Sequence, residues 1–102
     1  MLIDEPLLKL LKRCQILLDS AGETFWSHKL QSAQELLARN TAAGKREILQ
    51  WYGGMGSFSD LTLSQLNGHK VAPEDEGARN GDLLTLRSAI YLAARSNTVT
   101  EQ

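Results

Sequence analysis

Residues 51–60 read WYGGMGSFSD, and they interrupt a helical pattern that fills most of the remaining chain. Three of the eight glycines of the protein lie in this stretch, directly behind the second tryptophan. One of them, Gly54, is placed to end the preceding helix in the left-handed conformation, with Met55 packed back against Leu49. Helix termination requires only one glycine, so the other two predict a loop with a defined shape.

Before this stretch, apolar residues recur at the three- to four-residue spacing of one helix face and predict three helices. The first runs over residues 6–19, the second over 24–40 with Thr24 as its cap, and the third over 45–52. Residues 40–44 are expected to form a connection whose short length favours antiparallel neighbouring helices.

After the glycines, a clear helical spacing returns at residues 82–96, where Asn80 or Asp82 is expected to cap a fourth helix. Residues 69–81 carry glycines and an acidic run and are predicted to form a polar surface connection. Pro73 and the three acids after it could instead open a helix early, but Gly77 and Gly81 weaken that alternative. Residues 59–72 fit two alternatives, a short strand with alternating leucines or a single helical turn. The spacing of apolar residues leaves that choice open.

The length of 102 residues and the hydrophobic fraction of 42% fit one soluble globular domain. The sequence therefore predicts a single helical domain over residues 1–102, with frayed ends at 1–4 and 97–102. Its fold class is mainly α, a small four-helix bundle that carries a glycine-rich loop, with room for one short extended segment after that loop.

Composition also limits function and location. The net charge of −1 provides no field that would attract nucleic acid. No apolar run is long enough to cross a membrane, and the single cysteine, Cys14, is compatible with a reducing cytoplasm. This cysteine and the two histidines lie far apart in sequence, so no metal or cofactor site is predicted. We expect a cytoplasmic protein that binds neither nucleic acid nor a membrane.

The glycine-rich loop also raises chemical possibilities. A phosphate site would need a strand before the glycines and, in a P-loop, a lysine within them, and the sequence has neither. A small enzyme or ligand-binding domain would use Ser57 as nucleophile, His69 as base and Asp60 or Asp82 to orient that base. However, Ser57 lacks the flanking glycines of a nucleophile elbow, and a lone histidine behind an Asn-Gly turn is more often a solvated loop residue. Catalysis is therefore the alternative hypothesis.

Binding to another protein fits the loop better. Aromatic residues beside a shaped loop are common at protein-binding hot spots, and an acidic run steers association with a basic partner. Adjacent helical residues point about 100° apart, so we expect either Trp51 or Tyr52 to stay at the surface. Gly56 is predicted either to have a positive φ angle or to lie against another backbone, and Phe58 is predicted to anchor the loop inward. The predicted contact residues are Trp51, Tyr52, Met55, Gly56, Ser57, Phe58 and Asp60, with Glu74, Asp75 and Glu76 as the electrostatic contribution.

Residues 48–63, ILQWYGGMGSFSDLTL, are followed by NGH at 67–69 and by LLTLRSAIYLAA at 83–94. Together these segments resemble a small bacterial domain family of unknown function, in which a tryptophan and a Gly-Met-Gly-Ser-Phe core precede a closing Leu-Arg-Ser helix. The resemblance covers roughly residues 48–95 and brings no known activity or catalytic residue. Families of this kind often resemble immunity proteins that are encoded beside secreted toxins. The resemblance thus implies a non-catalytic immunity protein that neutralises a bacterial toxin by direct binding, and the sequence does not decide whether it forms a homo-oligomer.

Overall fold

The computed structural model describes residues 5–53 and 56–96. Within them the chain forms four α-helices, which are α1 (Glu5–Ser20), α2 (Thr24–Arg39), α3 (Thr41–Leu49) and α4 (Glu76–Arg95). The described residues contain no strand, and three short 3-10 turns, Phe58–Asp60, Gln65–Asn67 and Pro73–Asp75, lie between α3 and α4. The predicted mainly α bundle is therefore confirmed. The predicted frayed ends, and the predicted cap at Gly54 with Met55, lie outside the described residues.

The core is a single apolar cluster between the helices. The α1 helix packs against α2 and α4, and α3 completes the bundle by packing against the same two helices. Each helix contributes residues that recur every three or four positions, and burial of each large aliphatic side chain stabilises the fold by roughly 2 kcal/mol. The fully buried members include Leu7, Leu11, Leu18, Leu30, Leu37, Ile48, Leu83 and Ile90. Among the described residues, no helix combines the length and the apolar character needed to cross a membrane.

One residue, Asn40, joins α2 to α3. Its backbone is extended, with φ −156° and ψ 99°, and its side-chain oxygen accepts a hydrogen bond from the Ala43 amide at 3.0 Å. The prediction of a loop over 40–44 is therefore wrong, because Asn40 ends one helix and caps the next. Gly44, expected in that loop, is buried inside α3, where an added Cβ would lie 2.6 Å from Leu37 Cγ. The close approach of α2 and α3 requires glycine at this position.

The start of α2 is capped by Glu23 rather than by the predicted Thr24. A carboxylate oxygen of Glu23 accepts a hydrogen bond from the Trp26 amide at 3.0 Å. Across the same corner, the buried Ser27 hydroxyl donates a hydrogen bond to the Asp19 carboxylate. Side-chain hydrogen bonds therefore fix the corner between α1 and α2.

The α4 helix begins at Glu76 rather than after a cap at Asn80 or Asp82. The 3-10 turn Pro73–Asp75 leads directly into it, although two glycines lie within its first two turns. The prediction of a polar connection over 69–81 is wrong because it gave too much weight to the glycines. A proline followed by acidic residues is a strong helix-start signal, and here that signal prevails.

Residues 59–72 form neither a paired strand nor an α-helical turn. The backbone is extended at Leu61 and again at Ser64. The short extended segment that the predicted fold class allowed therefore lies between the first two 3-10 turns. It pairs with no other strand in the described part of the chain. Its backbone groups must therefore find hydrogen-bond partners elsewhere.

Candidate functional site

Phe58 holds the glycine-rich loop against the core. Its side chain is fully buried, and its ring centroid lies 4.9 Å from that of Trp26 and 5.7 Å from those of Trp51 and Tyr52. The Phe58 amide donates a hydrogen bond to the Trp51 carbonyl at 2.9 Å, which closes the loop between these two residues. The predicted inward anchor is confirmed, and the ring contacts add to the stabilisation that burial provides.

In its described residues, the loop turns at two glycines with left-handed backbones. Gly53 has a φ of 91° and Gly56 a φ of 76°, so the positive φ predicted for Gly56 is confirmed. An added Cβ at either glycine would meet no atom within 4 Å, so backbone conformation rather than space favours glycine there. Asp60 Oδ2 accepts a hydrogen bond from the Gly56 amide at 2.8 Å, and Ser57 Oγ accepts one from the Ser59 amide at 3.2 Å. Side chains of the loop thereby hold its own turn.

The α4 helix supplies the hydrogen bonds that the extended segment cannot make with itself. Asn80 Oδ1 accepts from the Leu63 amide at 2.7 Å, and Asn80 Nδ2 donates to the Leu63 carbonyl at 2.8 Å. Arg87 Nη1 donates to the carbonyls of Phe58, at 3.1 Å, and Leu61, at 2.7 Å. These two side chains replace the neighbouring strand that an extended backbone would otherwise need. Sequence reasoning missed both, although an amide and a guanidinium beside the buried stripe of α4 were a signal.

Two titratable groups behind the loop stay neutral near pH 7. Burial raises the pKa of the Cys14 thiol to about 12, and the charge of Arg87 lowers it in part. Burial also raises the pKa of the Tyr52 phenol, whose hydroxyl donates a hydrogen bond to the Arg87 carbonyl at 2.8 Å. A thiol that ionises with such difficulty is a poor nucleophile, so Cys14 serves as a core residue.

His69 links the chain after the extended segment to the corner between α1 and α2. Its Nε2 atom lies 2.8 Å from a carboxylate oxygen of Glu23, and its Nδ1 atom accepts a hydrogen bond from the Ser64 amide at 3.1 Å. Because Nδ1 accepts, the proton of the neutral ring is on Nε2 and is donated to Glu23. Beside this contact, the Lys70 amide donates to the Ala21 carbonyl at 2.8 Å. His69 is thus a largely buried structural link rather than the expected solvated loop residue.

The three residues of the catalytic alternative line one open depression. Ser57, Asp60 and His69 border about 290 Å³ of space, together with Glu23, Trp26, Gly56, Leu61, Thr62 and Asn67. Each of the three already has the hydrogen-bond partner described above, and no hydrogen bond among the described residues joins them to one another. Asp82 instead borders a groove between α1 and α4. The residues are near each other, but they do not form a nucleophile–base–carboxylate relay.

The predicted protein-contact residues divide between the core and the surface. Trp51 and Phe58 are both buried, so these two predicted contact residues lie beneath the surface rather than on it. Tyr52 keeps partial exposure and packs against Tyr91, with ring centroids 4.9 Å apart. Met55 lies outside the described residues. The remaining predicted residues reach the surface fully or in part, and they are Gly56, Ser57, Asp60, Glu74, Asp75 and Glu76.

Leu66 is the most exposed of the large apolar side chains that the structure describes, at 98%. It lies in the 3-10 turn Gln65–Asn67, where Ser64 Oγ accepts a hydrogen bond from the Asn67 amide at 3.2 Å. Gly68, with a φ of 85°, ends that turn. Sequence reasoning missed Leu66 because it considered this leucine only as part of a strand or helical turn. A leucine directly before an Asn-Gly turn was the available signal.

Acidic side chains lie near the turn that carries Leu66. Glu76 Oε2 accepts a hydrogen bond from the Gln65 amide at 3.1 Å, which brings the acidic run to this turn. Asn67 borders the same depression as Asp60. Within the described residues, no group of three or more His, Cys, Asp or Glu side chains could hold a metal ion. We define the loop surface as Gly56, Ser57, Asp60, Leu66, Asn67, Glu74 and Asp75, an acidic surface with an apolar tip.

Residues 19–72 match the family model described as Domain of unknown function (DUF6966). Neither a curated protein nor a solved structure matches the chain significantly. The matched span contains α2, α3, the glycine-rich loop and both members of the Glu23–His69 pair. It ends before α4, the helix that carries Asn80 and Arg87.

Proposed function

The chain belongs to this family of domains of unknown function, and we propose that it is a non-catalytic protein that binds another protein through the loop surface. The observation that carries this proposal is Leu66, a leucine exposed on a turn whose backbone is held by hydrogen bonds. Burying such a side chain in a partner contributes about 2 kcal/mol. A turn that is already formed also loses little conformational entropy on binding.

The negative charge of the loop surface indicates what kind of partner it would bind. Asp60, Glu74 and Asp75 are exposed members of the loop surface, and acidic side chains at the edge of an interface accelerate association with a basic surface. We propose that the partner is a secreted bacterial toxin with a basic cleft, and that this chain is the immunity protein that neutralises it in the cytoplasm. The acidic, apolar-tipped surface supports this proposal, as does the sequence resemblance to small bacterial families of this kind.

The test uses the protein encoded by the neighbouring gene as the candidate toxin. Calorimetry would measure its binding to the chain, and the growth of cells that produce both proteins would measure protection. We expect Leu66→Ser to weaken binding by about 2 kcal/mol and to reduce protection. Ile16→Ser is the matched control, because Ile16 is also an exposed aliphatic residue but lies on α1. Equal binding by both variants would place the interface elsewhere, and no binding by the unaltered chain would exclude this partner.

A second function is favoured by one observation, the shared depression of Ser57, Asp60 and His69. In this alternative the chain is a small hydrolase or ligand-binding domain, and binding of a substrate rearranges the hydrogen bonds of the three side chains. The test is incubation with a serine-directed fluorophosphonate, followed by mass spectrometry of the labelled residue. Labelling of Ser57 that is lost in His69→Gln would support a hydrolase. An unlabelled Ser57 would count against it.

A further inference from the structure

The outward side of α4 carries two exposed leucines and is uncharged along most of its length. Leu84 is 57% exposed and Leu92 is 63% exposed, and the helical repeat places them away from the buried stripe of this helix. The outer face of α4 consists of Gly77, Ala78, Gly81, Leu84, Thr85, Ser88 and Leu92. The charged residues of the helix interior lie away from this face, because Arg79 and Asp82 border the groove between α1 and α4 and Arg87 faces the loop. A helix face that meets only water is normally charged or polar, so the outer face has the composition of a contact surface.

The two halves of the outer face differ in shape. Gly77, Ala78 and Gly81 leave the first half with no side chain larger than a methyl group, whereas Leu92 and Arg95 project from the second half. The fold does not require either glycine, because an added Cβ would meet no atom within 4 Å and neither glycine has a positive φ. Since glycine weakens a helix relative to alanine, its use here indicates the close approach of another molecule.

We propose that a second copy of this chain covers the outer face, with the two α4 helices antiparallel about a two-fold axis between Leu84 and Ser88. In this arrangement Gly81 receives Leu92 of the second copy, and Gly77 lies opposite its Arg95. The two-fold axis repeats both contacts, so each projecting half meets a flat half. A parallel arrangement would instead place leucine against leucine and glycine against glycine.

The charges near the two ends of α4 favour the same antiparallel arrangement. Glu74 and Asp75 are exposed just before α4, and Arg95 is exposed at its end, 5.6 Å from the ring of Tyr91. An antiparallel pair brings the acids of each copy to the Arg95 of the other, whereas a parallel pair would place like charges together. The macrodipoles of the two helices also favour an antiparallel pair.

The expected dimer is weak and depends on concentration. A helix of 20 residues is about 30 Å long, and one helix pair of that length buries an area at the lower end of stable interfaces. Because Glu74 and Asp75 also belong to the loop surface, self-association and the proposed partner compete for these acids. Self-association itself requires no partner, so it is tested on the purified chain.

Sedimentation equilibrium of the full chain over a concentration series provides the test. We expect a monomer–dimer equilibrium that Leu92→Ser weakens about a hundredfold and Arg95→Glu about tenfold, since each dimer loses two copies of each contact. Adding Glu74→Arg and Asp75→Arg to Arg95→Glu should restore dimerisation. Gly81→Ala should raise the melting temperature of the dilute monomer and yet weaken the dimer. Leu66→Ser is the control, because it lies outside α4 and should leave dimerisation unchanged.

Three results would overturn the proposal. A chain that remains monomeric at every concentration has no such interface. A dimer that Leu92→Ser and Arg95→Glu leave unchanged uses another surface. A triple charge reversal that dimerises no better than Arg95→Glu alone excludes the antiparallel arrangement.

Discussion

The first three helices and the segment over residues 50–72 are stabilised in different ways. In the helices, the backbone satisfies its own hydrogen bonds, and stability comes from apolar side chains such as Leu11, Leu30 and Ile48 in one cluster. Where the structure describes this segment, at residues 50–53 and 56–72, the backbone forms neither a long helix nor a sheet, and side chains such as Asn80 and Arg87 supply its partners. The stability of the helices therefore depends on the volume of their buried apolar side chains, and that of the segment depends on a few hydrogen-bonding atoms.

The two regions also differ in how far apart along the sequence their stabilising residues lie. A helix stripe is visible within a few turns of sequence, whereas Asn80 lies 17 residues from Leu63 and Arg87 lies 26 residues from Leu61. Phe58 is the point where the two regions meet, because its ring is in the core and its carbonyl accepts a hydrogen bond from α4. Variants at these positions can test whether the two regions behave differently.

The largest effect is expected for Phe58→Ala, which removes the anchor that both regions share. Loss of a fully buried aromatic ring that contacts three other rings should lower the free energy of unfolding by about 3–5 kcal/mol. Urea denaturation followed by tryptophan fluorescence measures this loss. Phe25→Ala is the control, because Phe25 is exposed and should lose far less. Equal losses would show that the loop is not anchored through Phe58.

Asn80→Ala tests the polar side of the comparison. It leaves the amide and carbonyl of Leu63 without their partners, which should cost about 2–3 kcal/mol although little apolar volume is lost. Hydrogen exchange should show faster exchange at the Leu63 amide, with little change in α1 and α2. Thr85→Ala, at an exposed site on α4, is the control. Uniform acceleration throughout the chain would mean that the segment is not separately held.

Gly44→Ala tests the packing side. A Cβ at Gly44 would lie 2.6 Å from Leu37 Cγ and 2.9 Å from Leu37 Cα, so α2 and α3 must separate. We expect a loss of about 2 kcal/mol, although alanine favours helix formation. Thermal denaturation measures it, with Gly81→Ala in the dilute monomer as a control that should gain stability because nothing lies near its Cβ. A gain in both variants would contradict the close approach of the two helices.

Gly56→Ala tests the conformation of the loop. Its φ of 76° disfavours alanine by about 1 kcal/mol, even though the space around it is open. A lower melting temperature is therefore expected, and Gly56→Asn should lose less because asparagine tolerates left-handed backbone. An unchanged melting temperature and unchanged partner binding in Gly56→Ala would reduce the glycine-rich stretch to a simple helix stop.

The smallest effect is expected in the pH dependence of stability, through the Cys14 thiol in the core that both regions share. The Cys14 thiol ionises at a pKa of about 12 in the fold, against 9.0 for an ordinary thiol, so above pH 9 the unfolded chain releases this proton and the folded chain does not. Stability is therefore complete below pH 9 and falls as pH rises, by about 1 kcal/mol near pH 9.5. Urea midpoints at pH 7.5 and 9.5 measure this loss, and Cys14→Ala should reduce it. An identical loss in Cys14→Ala would assign it to other groups.

Periodicity was sufficient to predict the mainly α fold and the existence of four helices, because each buried stripe recurs every three or four residues. It failed at Asn40, where one residue both ends a helix and caps the next, and at Glu76, where proline and acids outweighed nearby glycines. Glycine content predicted a shaped loop with a positive φ at Gly56. Pattern reasoning could not show that Trp51 lies inside and Leu66 outside, since this depends on the path of the chain.

The hydrogen bonds from α4 to the loop also set an order of assembly. The contacts between α1 and α2 and between α2 and α3 join neighbours in the sequence, and such local contacts form early and fast. The Leu61 carbonyl and both backbone groups of Leu63 obtain their side-chain partners only after α4 docks, so the loop surface should form late in folding. Asn80→Ala should accordingly speed unfolding and leave the refolding rate nearly unchanged. A nascent chain that ends at residue 72 contains the whole span matched by the family, yet it lacks the helix that holds the loop surface in place.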